Sequence, residues 1–342
     1  MDSTSTTGTL IRILLGLLPV SLFLCGLVYL DSYKLVRLRR ILALLAAGCL
    51  SAVLSYALNR LVLVGAGIDH GTLARFIAPP LEEMLKGLPV LLLLRWKRAG
   101  FLVDAAIFGF GVGTGFALVE NLYYCWALPD ASLALWVVRG MGTAVMHGGT
   151  TAILAMATKL LYDRREAEPL WLVLPGLLLA AALHLGFNQF LLSPMLSAVL
   201  VVLILPPLMA MVFSQSERLL QAWLGSGFDL DSQLLEAIHS GAFGETRPGR
   251  YLQSLREHFE GAALADMLCY LRLHAELSMR AKGILMMRES GFPVARDPEL
   301  DEQLAELAYL RKSLGRTGLL ALAPVLQRSD KDLWQMSLLD EG

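Results

Sequence analysis

Seven runs of about 20 mainly apolar residues crowd into the first 213 positions, at 10–30, 41–64, 72–95, 101–126, 133–160, 170–191 and 195–213. A bilayer core is roughly 30 Å thick and takes about 20 apolar residues to cross as a helix. The chain is therefore read as an all-α, polytopic membrane protein with about seven transmembrane helices. Only Arg12 supplies positive charge to the first run, and no small-residue cleavage site follows it. That run is expected to be a retained span rather than a signal peptide.

The loops set an orientation. Lys34, Arg37, Arg39 and Arg40 follow the first run, Arg95, Lys97 and Arg98 the third, Lys159, Arg164 and Arg165 the fifth, and Arg218 the seventh. The alternate loops at 65–71, 127–132 and 192–194 hold no Lys or Arg. Cationic loops stay in the cytoplasm, so the amino terminus is expected outside and the carboxyl terminus inside. Arg60, Arg75 and Arg139, near outer ends, reduce this asymmetry without reversing it.

At about residue 214 the composition shifts. From there on the chain holds 14 of its 29 Lys and Arg and 19 of its 30 Asp and Glu. This predicts a membrane domain over 1–213 and a helical cytoplasmic domain over 214–342. Segments 251–289 and 299–314 mix apolar and charged residues at helical spacing. Breaks are expected at 227–229, 246–249 and 292–293. The tail carries no catalytic constellation, and its expected role is scaffolding or binding a cytoplasmic protein partner. A net charge of −1 gives no reason to expect nucleic acid as a partner. Cys25, Cys49, Cys125 and Cys269 are scattered without zinc-site or disulfide spacing, and are read as small buried hydrophobes.

Ionisable side chains within the apolar runs carry the functional signal, because each costs at least ~2.5–3.5 kcal/mol at a helix centre in a bilayer. They fall in four consecutive runs. In the third, Pro79 and Pro80 precede Glu82, Glu83 and Lys86. Paired prolines suit the first turn of a helix, so the span is expected to break near Ala78 and restart at Pro79. That would set both glutamates at a helix amino terminus, where the dipole favours carboxylates. Lys86 lies four residues after Glu82 and three after Glu83 and can reach either.

The fourth run holds Gly109, Gly111, Gly113 and Gly115, then Phe116, Glu120 and Asn121. No strand precedes the glycines and no Lys-Ser/Thr follows, so they read poorly as a nucleotide loop. The pairs Gly109/Gly113 and Gly111/Gly115 instead predict close helix packing. The fifth run carries Arg139 and His147. The sixth carries His184 and Asn188, which at i and i+4 share a helix face.

Taken together and in this order, Glu82-Glu83-xx-Lys86, Phe116-xxx-Glu120-Asn121, His147 and His184-xxx-Asn188 resemble the PrsW family of intramembrane proteases. That family is related to the type II CAAX prenyl proteases and to the Aph-1 subunit of γ-secretase. The matching stretch runs from about 76 to 190. CAAX proteases have Glu-Glu-xxx-Arg, and a His where Glu120 stands, so the pattern favours PrsW over a prenyl-protein protease. The resemblance implies peptide hydrolysis in the cell membrane of a bacterium, on a membrane-anchored protein such as an anti-sigma factor.

Two chemistries stay open from the sequence, of which the metal-free one is favoured. In the first, which needs no metal, a buried glutamate activates water. Glu82 is the base by similarity, Glu83 and Lys86 orient the site, and His147 holds the water or shares the proton. Glu120 positions the water or tunes His147, while His184 and Asn188 donate to the oxyanion. In the second, His147, His184 and Glu120 bind zinc, leaving Glu82 or Glu83 as base. Two further readings need no hydrolysis. One is a non-catalytic scaffold; the other is a proton-coupled transporter, for which no inverted repeat is found.

Overall fold

The computed structural model describes residues 3–164, 169–189, 191–294, 297–326 and 330–340. Arg165, counted among the loop cations, lies outside the described residues, as does position 190 in the sixth predicted run. Among the described residues there is no strand. The chain forms two compact units, Met1–Ser216 and Glu217–Gly342.

The first unit opens with α1 (Ser3–Leu30) and α2 (Leu38–Ala66). Next, α3 (His70–Thr72) passes through a π-helical stretch, Leu73–Ile77, into α4 (Ala78–Arg95). After α5 (Leu102–Ala127), α6 (Leu133–Val137) passes through a second π stretch, Val138–Ala144, into α7 (Val145–Asp163). A 3-10 turn, Leu170–Val173, leads into α8 (Leu174–Asn188), and α9 (Pro194–His239) follows.

Among the described residues, five stretches are long and apolar enough to cross a membrane: Thr7–Leu30, Leu38–Ala66, Leu102–Ala127, Leu170–Asn188 and Pro194–His239. The runs predicted at 72–95 and 133–160 are also helical, but a π stretch interrupts each. Large apolar side chains such as Leu22, Leu61, Leu178 and Leu203 point outward. That pattern suits a hydrocarbon solvent, where they lose nothing by exposure, while the backbone satisfies itself within helices. None of the four cysteines is fully buried: Cys25 and Cys269 are exposed, and all four are free thiols.

The central helix is α5, with 83% of its apolar window buried against 22% for α1. Its glycines explain why. A Cβ on Gly109 or Gly113 would collide with the α7 backbone at Thr151 and His147. One on Gly115 would collide with the α2 backbone at Leu45, while Gly111 faces the Leu44 side chain. The two glycine pairs thus serve two neighbours, and small residues let backbones approach where lipid gives no hydrophobic drive between helices. At the start of α5, buried Asp104 accepts from the amides of Gly100 (2.7 Å) and Phe101 (3.0 Å).

The second unit holds α10 (Arg247–Ser254), α11 (Gly261–Glu289), α12 (Pro298–Leu326), α13 (Asp330–Asp340) and the end of α9. Its core is built around Met267, Leu271, Leu277, Leu285, Leu310 and Leu322. The break expected at 227–229 does not occur, because α9 runs straight through it. Gly227 is there for packing: a Cβ would lie 2.8 Å from Nζ of Lys282 on α11. That lysine pairs with Asp231 at 2.6 Å.

Candidate active site

Pro79 and Pro80 have no N–H and so leave two carbonyls of the preceding turn without helical donors. In the structure the helix does not break there. The chain widens into the Leu73–Ile77 π turn, with the amide of Ala78 bonded to Leu73, and the α register resumes. The freed carbonyls are bonded from α8 and the residue after it. Asn188 Nδ2 donates to Ala74 (3.1 Å) and Gln189 Nε2 to Arg75 (3.1 Å). Glu82 and Glu83 therefore lie inside a continuous helical segment, not at a free amino terminus. The expected help from the helix dipole is replaced by specific partners.

Glu83 faces the protein interior and is fully buried, as is Lys86. Its Oε1 accepts from Lys86 Nζ at 2.5 Å, His184 Nδ1 at 2.9 Å and Thr150 Oγ1 at 3.0 Å. Thr151 Oγ1 lies 3.5 Å from Oε2. A buried ion pair is tolerable only when such hydrogen bonds complete it. The other side of the ammonium reaches His147 Nδ1 at 3.0 Å, and the Phe116 ring lies 4.9 Å from Nζ.

This pair sets both imidazoles. An ammonium only donates, so His147 Nδ1 accepts and its proton sits on Nε2, which donates to Glu120 Oε2 at 3.0 Å. A carboxylate only accepts, so His184 carries its proton on Nδ1. Its Nε2 keeps a bare lone pair and faces Glu82, whose Oε2 is 3.8 Å away. The two rings meet edge to face, centroids 4.7 Å apart.

Glu82 and Glu120 form the other side of the site. They line a cavity of about 670 Å³ with His147, His184, Arg139 and Asn188, while Glu83 and Lys86 lie behind it. Glu82 accepts from Asn59 of α2 at 3.4 Å. Glu120 pairs with Arg139 at 3.4 Å. That guanidinium stacks 3.8 Å from the Tyr124 ring and donates to Asn121 at 2.9 Å. Asn121 in turn donates to the Gly16 carbonyl of α1 at 2.7 Å.

Of the residues expected from sequence, Glu82, Glu120, His147 and His184 face the cavity from α4, α5, α7 and α8, with Glu83 and Lys86 behind them. Asn188 lies on the rim, its amide occupied by Ala74. Asn59, Thr150 and the Arg139–Glu120 pair are additions. Arg139 offered a signal, a lone cation in an apolar run, but its partner lies on another helix.

One group of His and carboxylate ligand atoms on the described residues is close enough to share a metal. Glu82, His147 and His184 each offer an atom within 4.8 Å of the others. The set takes Glu82 as its carboxylate, where the sequence reading had Glu120. The PrsW family model, described as intramembrane metalloprotease, matches residues 36–212, more than half of the chain. No curated protein and no solved structure matches. The family match coincides with the helices that hold the two histidines and three glutamates, and the chain belongs to the PrsW family of intramembrane metalloproteases.

Proposed function

We propose that the protein is a metal-dependent intramembrane endopeptidase that cuts a membrane-anchored protein, with Glu82, His147 and His184 as the metal ligands. The observation that carries this reading is the pair of histidines held from behind. His184 donates Nδ1–H to the buried Glu83 carboxylate and turns a bare Nε2 toward Glu82, as metal-bound histidines do when a carboxylate holds their other ring N–H. The donor set fits a borderline-soft divalent ion: two imidazoles and a carboxylate, with an open position, form a hydrolytic zinc set. His147 would fit as its other tautomer, with the ring proton moved to Nδ1 and donated to a neutral Lys86 amine 3.0 Å away, leaving Nε2 bare for the metal.

Such an ion, when bound, supplies Lewis acidity to a water or to the scissile carbonyl. The chain's own residues supply the rest. Glu83 and Lys86 fix both rings and touch no substrate. Glu120, on the cavity side and braced by Arg139, takes the proton of the attacking water and returns it to the leaving amine.

A second reading rests on Lys86. A cation 3.0 Å from His147 disfavours a second positive ion nearby, which supports a metal-free site with Glu82 as base.

The protein is further proposed to cross the membrane seven times. The interrupted helical stretches 70–95 and 133–163 join the five apolar ones, since lipid would otherwise leave the buried polar centre uncovered. The amino terminus is outside and the second unit in the cytoplasm of a bacterial cell, available to a protein partner. An anti-sigma-factor-like regulator is the proposed class of substrate.

The test is cleavage of a panel of single-span proteins by purified enzyme in detergent, beside Glu82→Gln, Glu120→Gln and His184→Ala. Cleavage by wild type alone supports the assignment. Cleavage that survives Glu82→Gln and His184→Ala contradicts it. No cleavage by folded wild type across the panel returns the scaffold reading.

A further inference from the structure

A second cavity, a groove of about 490 Å³ lined by α7, α8 and α9, is almost wholly apolar. Ile153 and Thr150 form one wall, Leu183 the next, and Leu200 and Ile204 the third. Leu183 and Ile204 are 44% and 61% exposed, so the groove opens to the outside of the unit. It also reaches the reaction site. Phe187 and Ser197 line both this groove and the carboxylate cavity, and Thr150 at its inner wall bonds Glu83. Gly186 lies on the α8 wall with nothing within 4 Å of where a Cβ would be.

We propose that this groove seats the membrane-embedded segment of the substrate, to one side of the scissile bond, and leads it past Phe187 into the carboxylate cavity. The proposal rests on the protease reading above and specifies how its substrate enters. The substrate is favoured over lipid by what lies at each end. The outer end offers only apolar side chains, which suit a membrane span. The inner end opens on glutamates and histidines, which suit an amide bond and have nothing to offer a hydrocarbon tail. Open space at Gly186 lets a backbone approach α8 closely, as small residues do between helices in lipid.

The test is photocrosslinking by the full-length protein in lipid nanodiscs. The probe is a fluorescent single-span peptide of Leu and Ala with a central Gly-Pro. Benzoylphenylalanine is placed at Leu183 or Ile204, and as a control at Leu178, which is 68% exposed on α8 and lines neither cavity. The expected result is crosslinking to the peptide from 183 and 204 but not from 178. Gly186→Phe, checked for folding by its melting curve, should cut the yield at 204 about tenfold, equivalent to ~1.4 kcal/mol of binding. Equal labelling from 178, labelling of lipid alone, or an undiminished yield with a folded Gly186→Phe would overturn the groove. If Gly186→Phe does not fold, the contrast between 183 and 178 decides. Crosslinking needs no catalysis, so the two readings fail separately. Cleavage without labelling at 183 removes the groove, whereas selective labelling without cleavage keeps it and removes the protease.

Discussion

Glu82 and Glu83 are adjacent, identical in chemistry and opposite in surroundings. Adjacent helical residues point about 100° apart, so the sequence says that they diverge but not which one meets the cavity. The deciding partners, Thr150 and His184, come from α7 and α8. Removing one member of a buried ion pair strands the other, so Glu83→Gln or Lys86→Met should cost about 3–5 kcal/mol of stability, read as a lowered melting temperature in detergent. Glu82→Gln, on the cavity side, should lose activity and melt like metal-free wild type, because it gives up only the stabilisation that the bound ion contributes. Arg139→Ala should reduce cleavage about 10–100-fold, as losing an outer partner of a catalytic group does, with little change in melting. An unchanged rate would remove Arg139 as the brace of Glu120.

The helices themselves were legible from apolar run length, and their mutual packing was partly so, because the spacing of glycines in α5 marks its close contacts. Gly113→Ala would push against the His147 carbonyl and should destabilise by about 1–3 kcal/mol. Gly65→Ala, in open space on α2, should cost nothing measurable. The π stretches were not legible. Two prolines announce missing donors, but whether the helix breaks or widens depends on donors elsewhere, here Asn188 and Gln189. Their double replacement by Ala leaves two carbonyls unbonded and should cost about 1–3 kcal/mol for each one shielded from water, measured by thermal unfolding. An unchanged melting curve would mean that water replaces both side chains. The uninterrupted α9 at 227–229 was missed for a related reason. A glycine costs only about 1 kcal/mol in a helix, and packing against Lys282 offsets it.

At the scale of the molecule, the shift in charge near residue 214 falls beside the boundary between the two compact units, Met1–Ser216 and Glu217–Gly342. The four polar motifs lie in consecutive runs in sequence and meet in one cavity in space. What the sequence could not supply was the pairing across helices: which carboxylate joins the histidines, and which pair orients them. The central claim is that Glu82, His147 and His184 hold a metal that cleavage requires. The most direct test is metal content of the purified protein by mass spectrometry, paired with cleavage before and after chelation. The account predicts about one zinc-like ion per chain, tightly held as in protein metal sites. That ion should be lost in Glu82→Gln and His184→Ala, kept in Glu120→Gln, with cleavage lost on chelation and restored by zinc. Full cleavage by metal-free protein would contradict it and leave Glu82 as the base of a metal-free site.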